Sequence, residues 1–544
     1  MKKYAIARKL PKISFLKLSL SALTVMILNT GCEKLGPDFM GVAKVKTPQT
    51  WNRGTKRNKN EIASWWKIFN DPVLNRLVLS TYAQNLDIKS AGLRILQSRA
   101  ALGISEGLQS PQVQTLSGNM AKVRSEDNAF SAAALNFDMA WEMDIWGKYA
   151  RGIESSEATL YASIASYNDI MVSVIAEVAR NYINYRTAQE RIAYAKRNIV
   201  IQERVSKITE IQFNSGNVSE LDMQQSRAQL YTTQSVLPGL ELSKVKSRNA
   251  MAVLMNISGK KVEKMLQSGI TYQDNISKYV NTNTDKSYIQ IKEGDRDHMN
   301  IALVPNARFN PYYKIDGGLL SNRPDLKVAE YQVRANSANI GATVATLYPS
   351  FSLFGNIGLS SNDARGSWVS AGDALGVTIG PAFSWNIFQY GRIKNQIRLK
   401  DAIFEESLVN YNKKVLSALS EVSDALNGYR LTKEQLISNE KAVNATVRAF
   451  NISMTQYNDG LVSYERLLTS VNNLTRSQDQ YAQIKGSLAN NVMLLYKALG
   501  GGWQMSKGEA YLSRNLAQTM QKRTDWGHYL DEEMTRLPQG LGDE

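Results

Sequence analysis

Between residues 408 and 429 the apolar positions Leu408, Tyr411, Val415, Leu419, Val422, Leu426 and Tyr429 recur at steps of 3, 4, 4, 3, 4 and 3. The mean step of about 3.5 is the repeat of a left-handed coiled coil rather than of a straight amphipathic helix. Moving each position back by 244 lands on Ile164, Tyr167, Met171, Ile175, Val178, Tyr182 and Tyr185, so the same stripe is written twice without a gap. No proline falls between Pro111 and Pro238 or between Pro381 and Pro538, which leaves both stretches free to be helical. Gly147 and Gly216 bracket the first helix and Gly391 and Gly460 the second, each pair 69 residues apart. At 1.5 Å per residue each helix is about 100 Å long, and flanking helices over residues 72–110 and 219–259 are about 57 and 60 Å. Two short helices stacked end to end therefore match one long one.

The register runs past the helices. Trp141 and Gly147 fall on Trp385 and Gly391, and Gly216, Val218 and Ser219 fall on Gly460, Val462 and Ser463. Upstream, at an offset of 238, Asp87, Lys89, Ala91, Ala100, Gly103 and Pro111 fall on Asp325, Lys327, Ala329, Ala338, Gly341 and Pro349. The chain carries an internal duplication. Before each long helix the period drops to two: Leu135, Phe137, Met139, Trp141, Met143 and Ile145 alternate with Asn136, Asp138, Ala140, Glu142 and Asp144. Val377, Ile379, Phe383, Trp385 and Ile387 repeat this run, Phe351, Leu353, Ile357 and Leu359 form another, and a weaker one follows Pro111. Each repeat reads helix, two strands, long helix, glycine turn, helix. Strands with one apolar and one polar face suit a bilayer only with closed edges, because each unpaired backbone group in hydrocarbon costs several kcal/mol. The smallest membrane barrels have about eight strands, so four must be pooled with those of further copies.

The turns themselves are FNSGNVSELD, residues 213–222, and YNDGLVSYER, residues 457–466. A glycine reaching left-handed φ ends a helix, which fits Gly216 and Gly460. Ser219 and Ser463 are placed to cap the returning helices, and Ser219 with Asp222 makes a capping-box pattern.

Residues 2–17 hold Lys2, Lys3, Arg8, Lys9, Lys12 and Lys17 with no acid, followed by the apolar run LSLSALTVMIL. This is the pattern of a secretory signal peptide, too short to span a bilayer of about 30 Å. It ends in LNTGC, and Cys32 is the only cysteine, so no internal disulfide forms. In that place Cys32 resembles the acylated cysteine of a bacterial lipoprotein, although Asn29 stands where such boxes usually carry leucine. The formal charge of +16 falls to +10 beyond the leader, with both signs interleaved along the chain, which argues for solvated helix faces and against nucleic-acid binding. Two histidines, His298 and His528, and one cysteine make no metal site or nucleophilic dyad by spacing, and no GxSxG, GxxxxGK[ST] or HExxH string is present. No enzyme, metal or cofactor is expected, and the energy for any transport must come from a partner.

The words WWKIFNDPVL (65–74), NLDIKSAGLRILQSRAALGI (85–104), GGLLSNRPDLKVAEYQVRANSANIGA (317–342), YPSFSL (348–353), FSWNIFQYGRIK (383–394) and LGGGW (499–503) resemble the bacterial outer-membrane factor family, in its lipoprotein branch. The resemblance implies a mainly α fold with membrane β: a homotrimer whose twelve-stranded β-barrel, four strands per chain, continues into a long periplasmic α-helical barrel. It divides the chain into a signal peptide (1–31), a lipidated extended segment (32–65), helices of the first repeat (66–111 and 147–259) around its strand pair (112–146), and a connector (260–320). Helices of the second repeat (321–349 and 391–500) then enclose its strand pair (350–390), and a tail follows (501–544).

The implied function is the outer-membrane exit duct of a tripartite efflux pump, conducting small molecules passively. Its partners would be a periplasmic adaptor, an inner-membrane pump of RND, MFS or ABC type, and outer-membrane lipid. The duct of a type I protein secretion system is the alternative, and a coiled-coil lipoprotein without a channel is a third reading. By position, Gly216, Val218, Ser219, Gly460, Leu461, Val462 and Ser463 are the adaptor-facing tips. Asp222 falls on a family acid tethered to a tyrosine, here Tyr457. Where the family often has an acidic ring this chain has Arg466 and Thr469; Glu465 is the nearest acid, and Leu461, Tyr464, Leu467 and Leu468 are the candidates for an apolar closure instead.

Overall fold

A computed structural model describes residues 34–43, 45–46, 48, 51, 55–56, 59–125, 128–267, 280–282, 289–291, 303–307, 309, 313–314, 317–363, 368 and 370–538. The leader, Cys32, His298 and much of the connector lie outside them. The principal elements are α1 (Pro72–Gln84), α2 (Leu86–Gly107), β1 (Val113–Ser125), β2 (Asn128–Met143), α3 (Lys148–Asn214), α4 (Glu220–Leu254), α5 (Gly259–Gln267), α6 (Pro324–Ala345), β3 (Ser350–Asn362), β4 (Leu375–Ser384), α7 (Arg392–Asn458) and α8 (Tyr464–Ala498). Most matched elements have equal lengths: α3 and α7 have 67 residues each, α4 and α8 have 35, α2 and α6 have 22, and β1 and β3 have 13, whereas β2 has 16 and β4 has 10.

The described chain divides into two compact units. The first gathers the residues up to 42, 97–162 and 329–411; the second gathers 43–96, 163–328 and 412–538.

In the first unit the four long strands form one antiparallel sheet in the order β1-β2-β3-β4. The two repeats meet in its middle, where β2 pairs with β3. Residues directly opposite one another share a face. Leu116, Phe137, Ile357 and Val377 make one apolar row, and Leu135, Leu359 and Leu375 continue it. The other face carries Thr115, Asp138, Asn356 and Thr378, with Asn356 Nδ2 donating to Asp138 Oδ1 at 2.7 Å. The side chains of the first apolar row are 40 to 70% exposed in the protomer. Trp141 and Trp385, matched by the duplication, make matched bonds: Trp141 Nε1 donates to the Gln109 carbonyl and Trp385 Nε1 to that of Leu347, both at 3.0 Å.

In the second unit the stripe from Ile164 to Tyr185 is buried along its whole length. Polar rungs join α3 to α8: Lys485 Nζ donates to Glu190 at 2.6 Å, Arg191 grips Asp479 through two bonds of 2.7 and 3.1 Å, and Asn198 donates to Gln478 at 3.0 Å. The single helix expected over 72–110 is broken at Asn85, whose ψ of 134° leaves the helical region. Its Oδ1 accepts from the Ile88 N–H and its Nδ2 donates to the Leu254 carbonyl, so one side chain starts α2 and caps the end of α4. The returning helix likewise stops at Leu254, short of Gly259, with Asn256 at φ 51°.

Three of the distinctive sequence words converge in this unit. Trp65 stacks on Tyr496 with ring centroids 5.8 Å apart, and a Cβ at Gly501 would fall 2.7 Å from the Ile62 carbonyl oxygen. Arg323 holds Asp325 through two bonds of 3.0 and 2.9 Å, reaches Glu421 at 2.8 Å, and donates to the Ala498 carbonyl at 2.6 Å. Burial works against the Arg323 charge, but its bonds with Asp325 and Glu421 outweigh it, and its pKa stays above the usual arginine value.

Candidate functional site

Both bends lie in the second unit and end their long helices with the same hydrogen bonds. Gly216 N–H donates to the Phe213 carbonyl and Asn217 N–H to that of Gln212, each at 2.9 Å; Gly460 N–H donates to Tyr457 at 3.1 Å and Leu461 N–H to Gln456 at 2.8 Å. These are paired Schellman closures, and they need positive φ, 75° at Gly216 and 69° at Gly460. Nothing lies within 4 Å of a Cβ placed at either glycine, so backbone conformation rather than space selects the residue. Val218 and Val462 fold back against the core cluster that contains Ile208, Phe450, Tyr457, Tyr464 and Leu467.

The helices that return from the bends start differently. Ser219 N–H donates to Asp222 Oδ2 at 3.1 Å, Asp222 N–H donates to Ser219 Oγ at 3.2 Å, and the Ser219 hydroxyl adds a bond of 2.8 Å to the same carboxylate. The capping box expected here is complete. The cap expected from Ser463 is not made: its side chain bonds no backbone N–H. The residue three places on is Arg466, a donor only, so no carboxylate reaches back to close the box.

The tether expected between Asp222 and Tyr457 takes another form. Tyr457 is buried and its hydroxyl donates to Thr209 Oγ1 at 3.4 Å, while Asp222 is engaged in its own cap. The pair still sense one another. Burial raises the Tyr457 pKa first, and the Asp222 charge raises it further against the Thr209 bond. Burial also pushes Tyr464 well above the usual tyrosine value, with Tyr457 and Asp222 adding to it. The two rings meet edge to face with centroids 5.9 Å apart.

Of the residues considered for an apolar closure, Tyr464 and Leu467 are buried within the protomer and Leu468 packs on the same core. They face inward, into a buried cluster drawn from α3, α7 and α8. Leu461 is 71% exposed, and Glu465 and Arg466 are exposed as well. Sequence reasoning passed over Thr209, Ser453 and Ser470. Thr209 and Ser453 occupy matched places 244 residues apart, and Ser453 Oγ lies 2.8 Å from Ser470 Oγ. A small hydroxyl repeated on the buried stripe was the signal that could have marked them.

No helix among the described residues is long and apolar enough to cross a membrane. The chain is 24% identical over 494 residues to the probable outer membrane lipoprotein SilC of Salmonella typhimurium, covering 90% of this chain and 99% of that one. It is 23% identical over 484 residues to the toluene efflux pump outer membrane protein TtgF of Pseudomonas putida, covering 87% and 92%. The structure of the outer-membrane channel OprN superposes with a TM-score of 0.73 at 26% identity, covering 86% of this chain and 99% of that one. The outer membrane efflux protein family itself matches residues 77–256 and 317–501, taking in both halves of the duplication and leaving out only the two ends and the connector. With both repeats matched, this chain belongs to the outer membrane efflux protein family.

Proposed function

We propose that this chain forms, with two further copies, the exit duct of a tripartite efflux pump and conducts small molecules passively across the outer membrane. The observation that carries the reading is the sheet: four strands, one apolar and one polar face, and edges at β1 and β4 that pair with no further strand among the described residues. Apolar hydrocarbon covers the first face, and only strands from other copies satisfy the edges. Three copies give twelve strands with a polar lumen. The many exposed apolar positions of α7, among them Leu399, Val409, Leu416 and Leu431, support neighbouring helices from those copies.

In this reading the two glycine bends are the periplasmic mouth, where an adaptor protein docks on Gly216, Val218, Ser219, Gly460, Leu461, Val462 and Ser463. An inner-membrane pump of RND, MFS or ABC type supplies the energy, and the chain performs no catalysis. Glu465, exposed beside the second bend, is the acid available for a ring across a threefold axis. Cys32 carries the lipid that holds the mature N-terminus at the membrane. Efflux of small molecules is favoured over protein secretion by the family's efflux character and by a relative named for toluene efflux.

The test is twofold. The purified protein in planar bilayers is expected to give stepwise conductance, and a deletion strain is expected to become more sensitive to toxic compounds. A deletion strain that keeps its tolerance but retains a polypeptide it normally secretes would favour the secretion duct. Absence of conductance would remove the channel.

A further inference from the structure

The first described residues of the chain are held in a slot of the first unit. Arg151, on the first turn of α3, is only 1% exposed. Its Nε donates to the Leu35 carbonyl at 3.1 Å, and its Nη2 reaches the carbonyls of Lys34 and Gly36 at 3.5 and 3.3 Å and the Asp38 carboxylate at 2.7 Å. Nη1 donates to Glu154 at 2.8 Å, and Leu35 N–H donates to the Trp146 carbonyl at 3.3 Å. Backbone packs directly on backbone: a Cβ at Gly36 would fall 2.4 Å from Gly341 Cα, and one at Gly341 would fall 2.5 Å from the Leu35 carbonyl oxygen. One guanidinium therefore reads three successive carbonyls and a carboxylate, a fork matched to an extended segment.

The duplication supplies an internal control. The position matched to Arg151 is Asn395, and a Cβ at Gly391 would meet only the Asn395 side chain, at 3.8 Å. At Gly147, the partner of Gly391, it would fall 2.8 Å from Lys34 Cα. Among the described residues the matched place in the second repeat has neither an arginine nor a packed segment at its glycine.

The slot lies at one end of the sheet, where β2 ends and β3 begins, and aromatic side chains gather there. Trp146 packs against Tyr348 with centroids 4.9 Å apart and donates from Nε1 to the Pro349 carbonyl at 2.8 Å. Tyr348, Trp385, Phe388 and Tyr390 are exposed just beyond the strand ends. Aromatic rings at the end of an apolar sheet face mark the headgroup level of a bilayer. In the sequence Cys32 stands only two residues before Lys34, the first residue held in the slot.

We propose that Arg151 is the positioning residue of the lipid anchor: it seats residues 34–38 so that an acyl chain on Cys32 enters the membrane beside this aromatic girdle. The inference rests on the lipid-anchor reading of Cys32. The experiment uses the full-length protein in vesicles of phosphatidylethanolamine and phosphatidylglycerol. Intact mass of the N-terminal peptide reports the acyl chain, and hydrogen exchange reports the Leu35 amide. In R151Q, Leu35 exchange is expected to rise by about tenfold or more, as for loss of charge-assisted bonds, while peptides of the strands keep their rates and the acyl mass is unchanged. D38A, which removes one exposed partner and spares the fold, is expected to raise it by a smaller factor. A spin label at M40C is expected to report one membrane depth in the otherwise native chain and a spread of depths with R151Q. Equal Leu35 exchange, or equal depth profiles, in native and R151Q protein overturns the slot as a positioning device. An N-terminal peptide with no acyl chain overturns the anchor reading, and exchange then judges the slot alone.

Discussion

Asp222→Ala and Tyr457→Phe, made singly and together, decide how the bends are held. Asp222 accepts from the Ser219 N–H and hydroxyl and completes the first bend's capping box. Losing a cap of this kind costs about 1 kcal/mol, which raises local opening about fivefold. Tyr457→Phe keeps the buried ring and its edge-to-face contact with Tyr464 and removes only the 3.4 Å bond to Thr209. Thr209 Oγ1 retains its own bond to the Val205 carbonyl at 3.0 Å, so the cost is about 0.5 kcal/mol. Because the two side chains are engaged elsewhere, their effects should add to within about 0.5 kcal/mol. Hydrogen exchange on the full-length protein measures this directly: Asp222→Ala should speed amides 219–223, and Tyr457→Phe those after residue 457. Single-channel recording carries the functional side, since independent bends give two separate increments in conductance. A coupling above about 1 kcal/mol, or a double variant conducting no more than either single one, would refute independent bends and restore a direct tether.

The Glu190–Lys485 pair lies fully buried on the glutamate side, where Val304 N–H donates at 3.1 Å as well. Lys485→Met should destabilise the helical unit by about 3 to 5 kcal/mol, with Glu190→Gln added to it recovering most of the loss; denaturant unfolding followed by helical circular dichroism reads both. Asp169 behaves in the opposite sense. Burial, then Asp325, raises its pKa above the usual 3.8, against Lys414, Arg323 and Lys497. A raised carboxyl pKa means that folding favours the protonated form, so stability from this group is lost as pH rises from 3.8 through the folded value. Asp169→Asn should therefore stabilise the protein at neutral pH, with the gain vanishing toward pH 3; equal gains at both pH values would contradict the assignment.

How much was legible depended on whether the cause was local. The 67-residue helices, the strands between them and the two bends follow from periodicity, proline spacing and glycines that reach positive φ, all written within a few residues. The capping box at Ser219 and Asp222 was legible too, whereas the cap expected from Ser463 is not made, because Arg466 stands where Asp222 does and offers no carboxylate. The break at Asn85 was not, since its Nδ2 is anchored to a carbonyl 169 residues away. Arg151 has the same cause, reading a segment more than 100 residues before it. The Asp222–Tyr457 tether failed as a hydrogen bond for a third reason: matching positions fixes the backbone and leaves each side chain to choose between partners, and both found closer ones.

The two ends of α8 are held unequally, and this sets where the second bend yields. At the C-terminal end, Arg323 donates to the Ala498 carbonyl and is itself gripped by Asp325 and Glu421. A cation on the last carbonyls also opposes the negative end of the helix dipole. Trp65 stacks on Tyr496 two residues earlier, so three sequence words separated by hundreds of residues fix this end together. At the N-terminal end Ser463 offers no side-chain cap, and the helix is seated by Tyr464, Leu467 and Leu468 against the core. Helix ends without caps fray first, and local opening costs least where backbone bonds are exposed. Exchange along α8 should therefore fall steadily from residues 464–467 to residues 490–498, and Arg323→Ala should raise it at the far end while leaving the bend unchanged. A helix that opens uniformly, or a bend that loosens when Arg323 is removed, would show that α8 moves as one body instead of yielding at the bend.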